Sequence, residues 1–132
     1  MKNLTEIFKL LSDENRLRIL MLLNKKELSV CQVMGITGSS QSLTSRNLSL
    51  LYRGGFLDER RAGKLRFYSI SKDLPVDNKA VLGLLQTMVK SDKRYHEDLL
   101  TLKECTAFQE KIGKCDMKTL QEFMRIKQKK TR

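Results

Sequence analysis

Apolar and polar positions are most clearly separated in residues 39–55. Thr44 (through its methyl group), Leu48 and Leu51 recur at i, i+4 and i+7, which predicts a helix that buries this stripe. The other face of that helix carries short hydrogen-bonding side chains and one cation: Gln41, Ser42, Ser45, Arg46 and Ser49. Such side chains suit base edges and phosphates in a DNA major groove. Ordinary surface helices show the same pattern, so the flanking segments must decide between the two interpretations.

The flanking segments predict two helices and a third short helix before this stretch, and a β-hairpin after it. Helical spacing of apolar residues places helices at about 3–11 and 13–24, the second of them apolar nearly all round. A short helix is expected from about Ser29 to the turn at Thr37–Gly38, and strands are expected at 56–61 and 65–70. Helix, helix, turn, helix and basic hairpin is the order of a winged helix-turn-helix. The expected fold class is therefore mostly α with a small β-hairpin.

The charge balance also favours a nucleic acid as the partner. The formal net charge is +11 and the sequence pI is about 9.8, which favours nucleic acid ahead of a membrane surface. Residues 40–70 hold six Lys and Arg against two Asp and Glu, and residues 116–132 hold the same excess. We expect DNA contacts from the exposed face and start of the helix predicted within 39–55 and from the hairpin tip: Ser40, Gln41, Ser42, Leu43, Ser45, Arg46, Asn47, Arg60, Arg61 and Lys64.

A long helix is expected to begin near Asp77 or Asn78 and to run towards Glu110. Within it, one series of positions alternates by four and three, with a single polar interruption: Val81, Leu85, Met88, Asp92, Tyr95, Leu99 and Leu102. This heptad seam predicts a homodimer, and the alternative is a single helix lying across its own core. We therefore expect residues 1–112 to form the DNA-binding and dimerisation domain, with dimerisation helices at both of its ends. Residues 113–132 are expected to form a short helix, with Met117, Leu120 and Met124 on one face, and a basic tail.

Other features exclude several classes of protein. The longest unbroken apolar run, Ile19–Leu23, is too short to span a bilayer, and no apolar signal core is visible, which predicts a cytoplasmic protein without a membrane partner. The single histidine, His96, cannot build a Ser-His-Asp constellation or a histidine-rich zinc site. We therefore do not expect an enzyme, and no cofactor is required. The three cysteines are expected to be reduced thiols.

Three stretches resemble the ArsR-type family of bacterial and archaeal metalloregulatory repressors. Leu11–Leu20 (LSDENRLRIL) is similar to the opening L-(A/S)-D-x-(T/N)-R-L-x-I-L of that family, and Glu27–Cys31 (ELSVC) resembles its arsenic box E-L-C-V-C. Ser40–Leu48 (SQSLTSRNL) is similar to S-Q-(P/S)-x-x-S-R-H-L. The resemblance covers roughly residues 4–105. It implies a homodimer whose recognition helices enter successive major grooves of an inverted-repeat operator, and which is released when an effector binds.

The chain departs from the arsenic sensors of that family at the thiol positions. Where those sensors carry cysteines, this chain has Ser29, Cys31 and Met34. Trivalent arsenic or antimony prefers three soft thiolates, so a complete site would have to recruit Cys105 and Cys115 to join Cys31. Because a long helix would carry Cys105 far from Cys31 of the same chain, such a site would bridge subunits. The alternatives are gating by cysteine oxidation, a buried core thiol without a sensing function, and a dimeric interaction module whose basic face binds another acidic partner.

Overall fold

The computed structural model describes residues 1–112 and 122–127, with side chains through residue 108 in the first range. The elements follow in this order: α1 (Lys2–Leu10), α2 (Glu14–Lys25), β1 (Leu28–Ser29), α3 (Val30–Thr37), α4 (Gln41–Arg53), β2 (Leu57–Ala62), β3 (Leu65–Ile70), α5 (Val76–Met88), a 3₁₀ turn (Val89–Ser91) and α6 (Lys93–Ile112). Residues 122–127 are also helical. The winged helix-turn-helix order predicted from the sequence is confirmed.

Capping side chains place the starts of the helices in the helix-turn-helix. The Asp13 carboxylate accepts a hydrogen bond from the backbone N–H of Arg16 at 3.0 Å, and Ser29 and Gln32 form a capping box at the start of α3. Gly38 ends α3 in the left-handed region with φ of 76°. Ser40 then caps α4, because its Oγ accepts from the backbone N–H of Leu43 at 3.2 Å.

The core is built around α2. All residues of the run Ile19–Leu23 are buried, as expected for a helix that is apolar nearly all round. The stripe of α4, Thr44, Leu48 and Leu51, is fully buried against this core. Because the stripe faces inwards, the opposite face of α4 is turned away from the protein.

The hairpin is the larger part of a three-stranded antiparallel sheet with strand order β1-β3-β2. Leu57 pairs with Ile70 at the base of the hairpin, and Ala62 pairs with Leu65 at its tip. Tyr68 is buried, and Ile70 packs partly buried against the core. The strand β1 was not predicted, because two residues are too few to show an alternating pattern.

The prediction of one continuous helix from about residue 77 to 110 was wrong. The chain leaves helical geometry at Asp92 (φ −82°, ψ 126°), and the Asp92 carboxylate accepts a hydrogen bond from the backbone N–H of Tyr95 at 3.0 Å. The residue read as a polar interruption of the seam is therefore the cap of a new helix. After this break α6 packs against α2 and α3 of its own chain, and Val81 and Leu85 contact the core of their own protomer.

Part of the C-terminal segment also packs on the core. In the 122–127 helix Phe123 is buried, and its ring centroid lies 5.5 Å from that of Phe108 in α6. Lys127 Nζ lies 2.6 Å from a carboxylate oxygen of Glu104. Met124 packs partly buried against the core, whereas Met117, Leu120 and the end of the basic tail lie outside the described residues.

Candidate nucleic-acid interface

The exposed face of α4 presents most of the side chains predicted to contact DNA. Ser40, Gln41, Ser42, Leu43 and Arg46 are exposed, and Ser45 is partly buried beside them. The Ser40 hydroxyl accepts the capping hydrogen bond described above, which leaves its O–H donor and a second lone pair for other partners. Because the buried stripe fixes the rotation of the helix, this polar face is held outwards.

Asn47 does not belong to this face, and its prediction as a direct DNA contact was wrong. Its side chain is only 2% exposed, and its Oδ1 accepts a hydrogen bond from Arg16 Nη1 at 3.4 Å. Asn47 lies three residues after Thr44 and four before Leu51, which places it on the buried stripe of the helix. The helical spacing that predicted the buried stripe therefore also places Asn47 on it.

On the wing, Arg61 and Lys64 are exposed near the tip, and Gly63 in the left-handed region (φ 63°) closes the turn between them. Arg60 is held differently. Its Nη2 and Nε donate to the Glu27 carboxylate at 2.7 and 3.3 Å, and its guanidinium lies 4.6 Å from the centroid of the Phe67 ring. The hydrogen bonds from Arg60 lower the pKa of Glu27. The guanidinium of Arg60 thus braces the wing against the segment before β1.

A groove of about 370 Å³ lies between α4, the wing and the start of α3. Gln41 and Ser45 line one side, and Arg61 and Lys64 line the other. Arg66 of β3 lines it as well, 3.7 Å from a Glu59 carboxylate oxygen. Arg66 was not among the predicted DNA contacts, although the alternation of Leu65, Arg66 and Phe67 along β3 places Arg66 on the opposite face of the strand from its two apolar neighbours. The groove therefore joins hydrogen-bonding side chains of α4 to the cations of the wing.

The thiols are not assembled into a site by the residues that the structure describes. Cys31 is partly buried at the start of α3 and lines the groove just described, whereas Cys105 is buried in the core on α6. Cys115 lies outside the described residues. Within the described ranges there is no group of three Cys, His, Asp or Glu side chains that could hold a metal ion. α6 packs against α3 of the same chain, and a thiol site that bridges subunits stays a prediction.

None of the helices within residues 1–112 and 122–127 combines the length and apolar character needed to cross a membrane.

Comparison with solved structures supports the same fold. Reduced HlyU from Vibrio cholerae superimposes with a TM-score of 0.59 and 29% sequence identity, over 68% of this chain and 92% of that one. A structure from Mycobacterium bovis, described as the homodimeric winged helix-turn-helix DNA-binding domain of a possible ArsR-family transcriptional regulator, gives a TM-score of 0.57 with 28% identity. That match covers 70% of this chain and 82% of that one.

Comparison of sequences identifies the family. A cadmium resistance transcriptional regulatory protein of Listeria innocua is 41% identical over 78 residues, 58% of this chain and 65% of that protein. The arsenical resistance operon repressor of Escherichia coli is 41% identical over 71 residues, 53% of this chain and 61% of that protein. The chain thus spans slightly less than two thirds of the length of either relative. An arsenic resistance transcriptional regulator of Pseudomonas putida is 34% identical over 94 residues, 70% of this chain and 79% of that protein.

The family model described as "Bacterial regulatory protein, arsR family" matches residues 13–59, from the cap of α2 into β2. These residues include α3 and α4, the two helices of the helix-turn-helix. Together with the Pseudomonas putida relative, of which the chain covers 79%, this match shows that the chain belongs to the arsR family of bacterial regulatory proteins.

Proposed function

We propose that the chain is a dimeric repressor that binds a duplex operator with inverted symmetry through α4 and the wing. The observation that carries this proposal is the groove in which Gln41 and Ser45 of α4 face the wing cations Arg61 and Lys64. Side chains with two hydrogen-bonding groups read base edges, whereas Lys and Arg on a flexible tip bind phosphates without regard to sequence. One face thus offers both kinds of contact that an operator requires.

Two exposed apolar surfaces support the dimer. Phe8 of α1 is 55% exposed, and Leu84 and Met88 of α5 are 56% and 63% exposed. Their two helices are linked by a hydrogen bond from Asn3 Nδ2 to Asp77 Oδ2 at 3.1 Å. Large apolar side chains on neighbouring helices favour burial against another protein surface. We assign that surface to a second copy of the chain, which would place two α4 helices on the two halves of a symmetric operator.

Selection of bound sequences from a library of random duplexes tests the proposal. We expect the wild-type protein to enrich an inverted repeat and to bind it with an affinity that falls linearly with salt on a log–log scale, because phosphate contacts release counterions. A reporter fused to the enriched sequence should be less active when the protein is expressed. Enrichment of no sequence, or binding that does not respond to salt, would refute DNA binding; a reporter that becomes more active would refute repression.

A thiophilic effector, arsenite or antimonite, is proposed to release the repressor. The observation in its favour is that Cys31 lines the same groove as Gln41, Ser45 and Arg61. A metalloid bound to the Cys31 thiolate would therefore lie beside the surface that contacts DNA. Three thiolates would satisfy trivalent arsenic, and the chain has two more cysteines, Cys105 in α6 and Cys115.

Single Cys→Ser variants test the effector proposal. Each variant is bound to the enriched duplex and titrated with arsenite in a reducing buffer, and a parallel series is titrated with hydrogen peroxide instead. We expect Cys31→Ser to stay on DNA at arsenite concentrations that release the wild type. If all three variants are released as the wild type is, the thiol site is wrong. Release by peroxide and not by arsenite would replace metalloid sensing with cysteine oxidation.

A further inference from the structure

The C-terminal end of α4 is joined to α5 by a buried hydrogen bond. The Asn78 side-chain amide donates from Nδ2 to the carbonyl oxygen of Gly54 at 2.8 Å. Asn78 is only 2% exposed, and Gly54 is the C-cap of α4. Carbonyl groups at the end of a helix have no partner within the helix and must find one elsewhere. At this position, the partner belongs to the first turn of α5.

Two glycines allow the neighbouring elements to approach this helix end. A Cβ atom at Gly54 would lie 2.5 Å from Cδ2 of Leu10, the last residue of α1, so the leucine fills the space that a side chain would need. Gly55 adopts the left-handed region with φ of 87°, and a Cβ atom there would lie 3.4 Å from Nδ2 of Asn78. The end of α4 is therefore fitted between α1 and α5.

A second polar contact connects the middle of α4 to α1. Arg16, in the first turns of α2, donates from Nε to the carbonyl oxygen of Leu10 at 2.5 Å and from Nη1 to Oδ1 of Asn47 at 3.4 Å. Leu10 thus contacts Gly54 with its side chain and Arg16 with its carbonyl group. Both helices that we assign to the dimer interface are consequently in contact with α4.

We propose that Asn78 is a positioning residue for DNA recognition, which fixes the angle of α4 relative to the two dimerisation helices. This inference rests on the proposed function, because it concerns the same DNA-binding surface. Arg46 lies eight residues before Gly54, about 12 Å along the helix, so a small rotation at the joint moves its side chain away from a base edge. Base contacts need defined geometry, whereas phosphate contacts from flexible Lys and Arg adapt. Loss of the hydrogen bond should therefore reduce sequence discrimination more than total binding.

The test compares Asn78→Ala and Asn78→Leu with Gln86→Ala, a control at an exposed position of the same helix. Asn78→Leu keeps the approximate shape of the side chain and removes the amide donors without burying a charge, and it serves if the alanine variant does not fold. Affinity is measured for the duplex enriched by the wild type and for a random duplex of equal length, and sedimentation monitors the dimer. We expect the affinity for the enriched duplex to fall by about tenfold, as for the loss of one base contact. The affinity for random DNA and the dimerisation constant should each change by less than about twofold.

The outcomes separate this inference from the proposal on which it rests. If the wild type shows no preference for any duplex, the proposed function fails and the positioning role fails with it. If the wild type discriminates and both Asn78 variants keep the same ratio of operator to random affinity, only the positioning role is refuted. A parallel loss of both affinities together with loss of the dimer would show that Asn78 maintains the fold rather than the angle of α4, and would also refute it.

Discussion

Arg18 of α2, which is partly buried, and the buried Asp98 of α6 form a bidentate ion pair, in which Nε and Nη2 donate to the two carboxylate oxygens at 2.9 and 3.0 Å. The hydrogen bonds to Asp98 raise the pKa of the Arg18 guanidinium. This pair links α6 to α2 after the break at Asp92. We predict that Asp98→Ala lowers the free energy of unfolding by about 1.5–3 kcal/mol, because Arg18 loses its charge-assisted hydrogen bonds to the carboxylate. Urea denaturation measures this difference.

The exposed pair Arg94–Glu97 in the first turns of α6 supplies the control for that measurement. Its nitrogen–oxygen distance is 3.3 Å and both side chains are about half exposed, so Arg94→Ala should cost less than about 1 kcal/mol. Equal losses in the two variants would contradict the structural role assigned to Arg18 and Asp98.

The Thr44 hydroxyl is predicted to destabilise the protein. Oγ1 is buried in the core and has no hydrogen-bond partner among the residues that the structure describes. Thr44→Val replaces the hydroxyl with a methyl group of similar size, and we expect it to raise the free energy of unfolding by about 1 kcal/mol, since an unsatisfied buried hydroxyl costs about 1–3 kcal/mol. Thermal denaturation provides the measurement. Thr44→Ser keeps the hydroxyl and removes the methyl group, so it should lower stability; a valine variant less stable than the wild type would show that the hydroxyl is satisfied.

The Glu27–Arg60 contact should be visible in the titration of Glu27. Arg60 holds the pKa of Glu27 below its ordinary value of about 4.5. The contribution of this contact to stability is therefore complete above that ordinary value and is lost as the pH falls through the lower pKa of the folded state. We predict that the carboxyl carbon of Glu27, followed by NMR, titrates at lower pH in the wild type than in Arg60→Gln. Arg66→Gln removes a neighbouring wing cation and should leave the titration of Glu27 nearly unchanged. The same titration midpoint in the wild type, Arg60→Gln and Arg66→Gln would show that Arg60 does not contact Glu27.

The helix-turn-helix could be predicted from the sequence because its local signals agree. Ser29 and Ser40 are strong caps, Gly38 supplies the left-handed residue, and the stripe from Thr44 to Leu51 has helical spacing. These signals act over a few residues, so they could be read without knowledge of the tertiary contacts.

Other features of the fold and the site could not be predicted from such signals. The break at Asp92 looked like one polar position of a heptad, because an aspartate can cap a helix or occupy its exposed face. The roles of Asn47 and Arg60 depend on Arg16 and Glu27, which lie about 30 residues earlier in the chain. The approach of Asn78 to Gly54 left no periodic signal, since both partners are single polar or small residues at the ends of helices.

The dimer is best tested at Leu84 rather than at Leu85 of the predicted heptad seam. Leu85 packs against its own core, whereas Leu84 is 56% exposed in the protomer. We predict that Leu84→Glu keeps the protomer folded and dissociates the dimer, because the interface would have to bury an unpaired carboxylate. Sedimentation at micromolar concentration provides the measurement, with Gln86→Glu as the charge-matched control. A wild-type protein that sediments as a monomer would refute the dimer.

The central claim is that α4 reads base sequence while the wing binds phosphates. Its most direct test is a fluorescence anisotropy titration of the wild type, Arg46→Ala and Lys64→Ala on the enriched duplex and on a random duplex. We predict that Arg46→Ala loses about 1–3 kcal/mol of binding free energy on the enriched duplex and little on the random one. Lys64→Ala should weaken binding to both duplexes alike. It should also reduce the slope of log affinity against log salt concentration by about one. Equal affinity of the wild type and Arg46→Ala for the enriched duplex would contradict the assignment of α4 as the recognition helix.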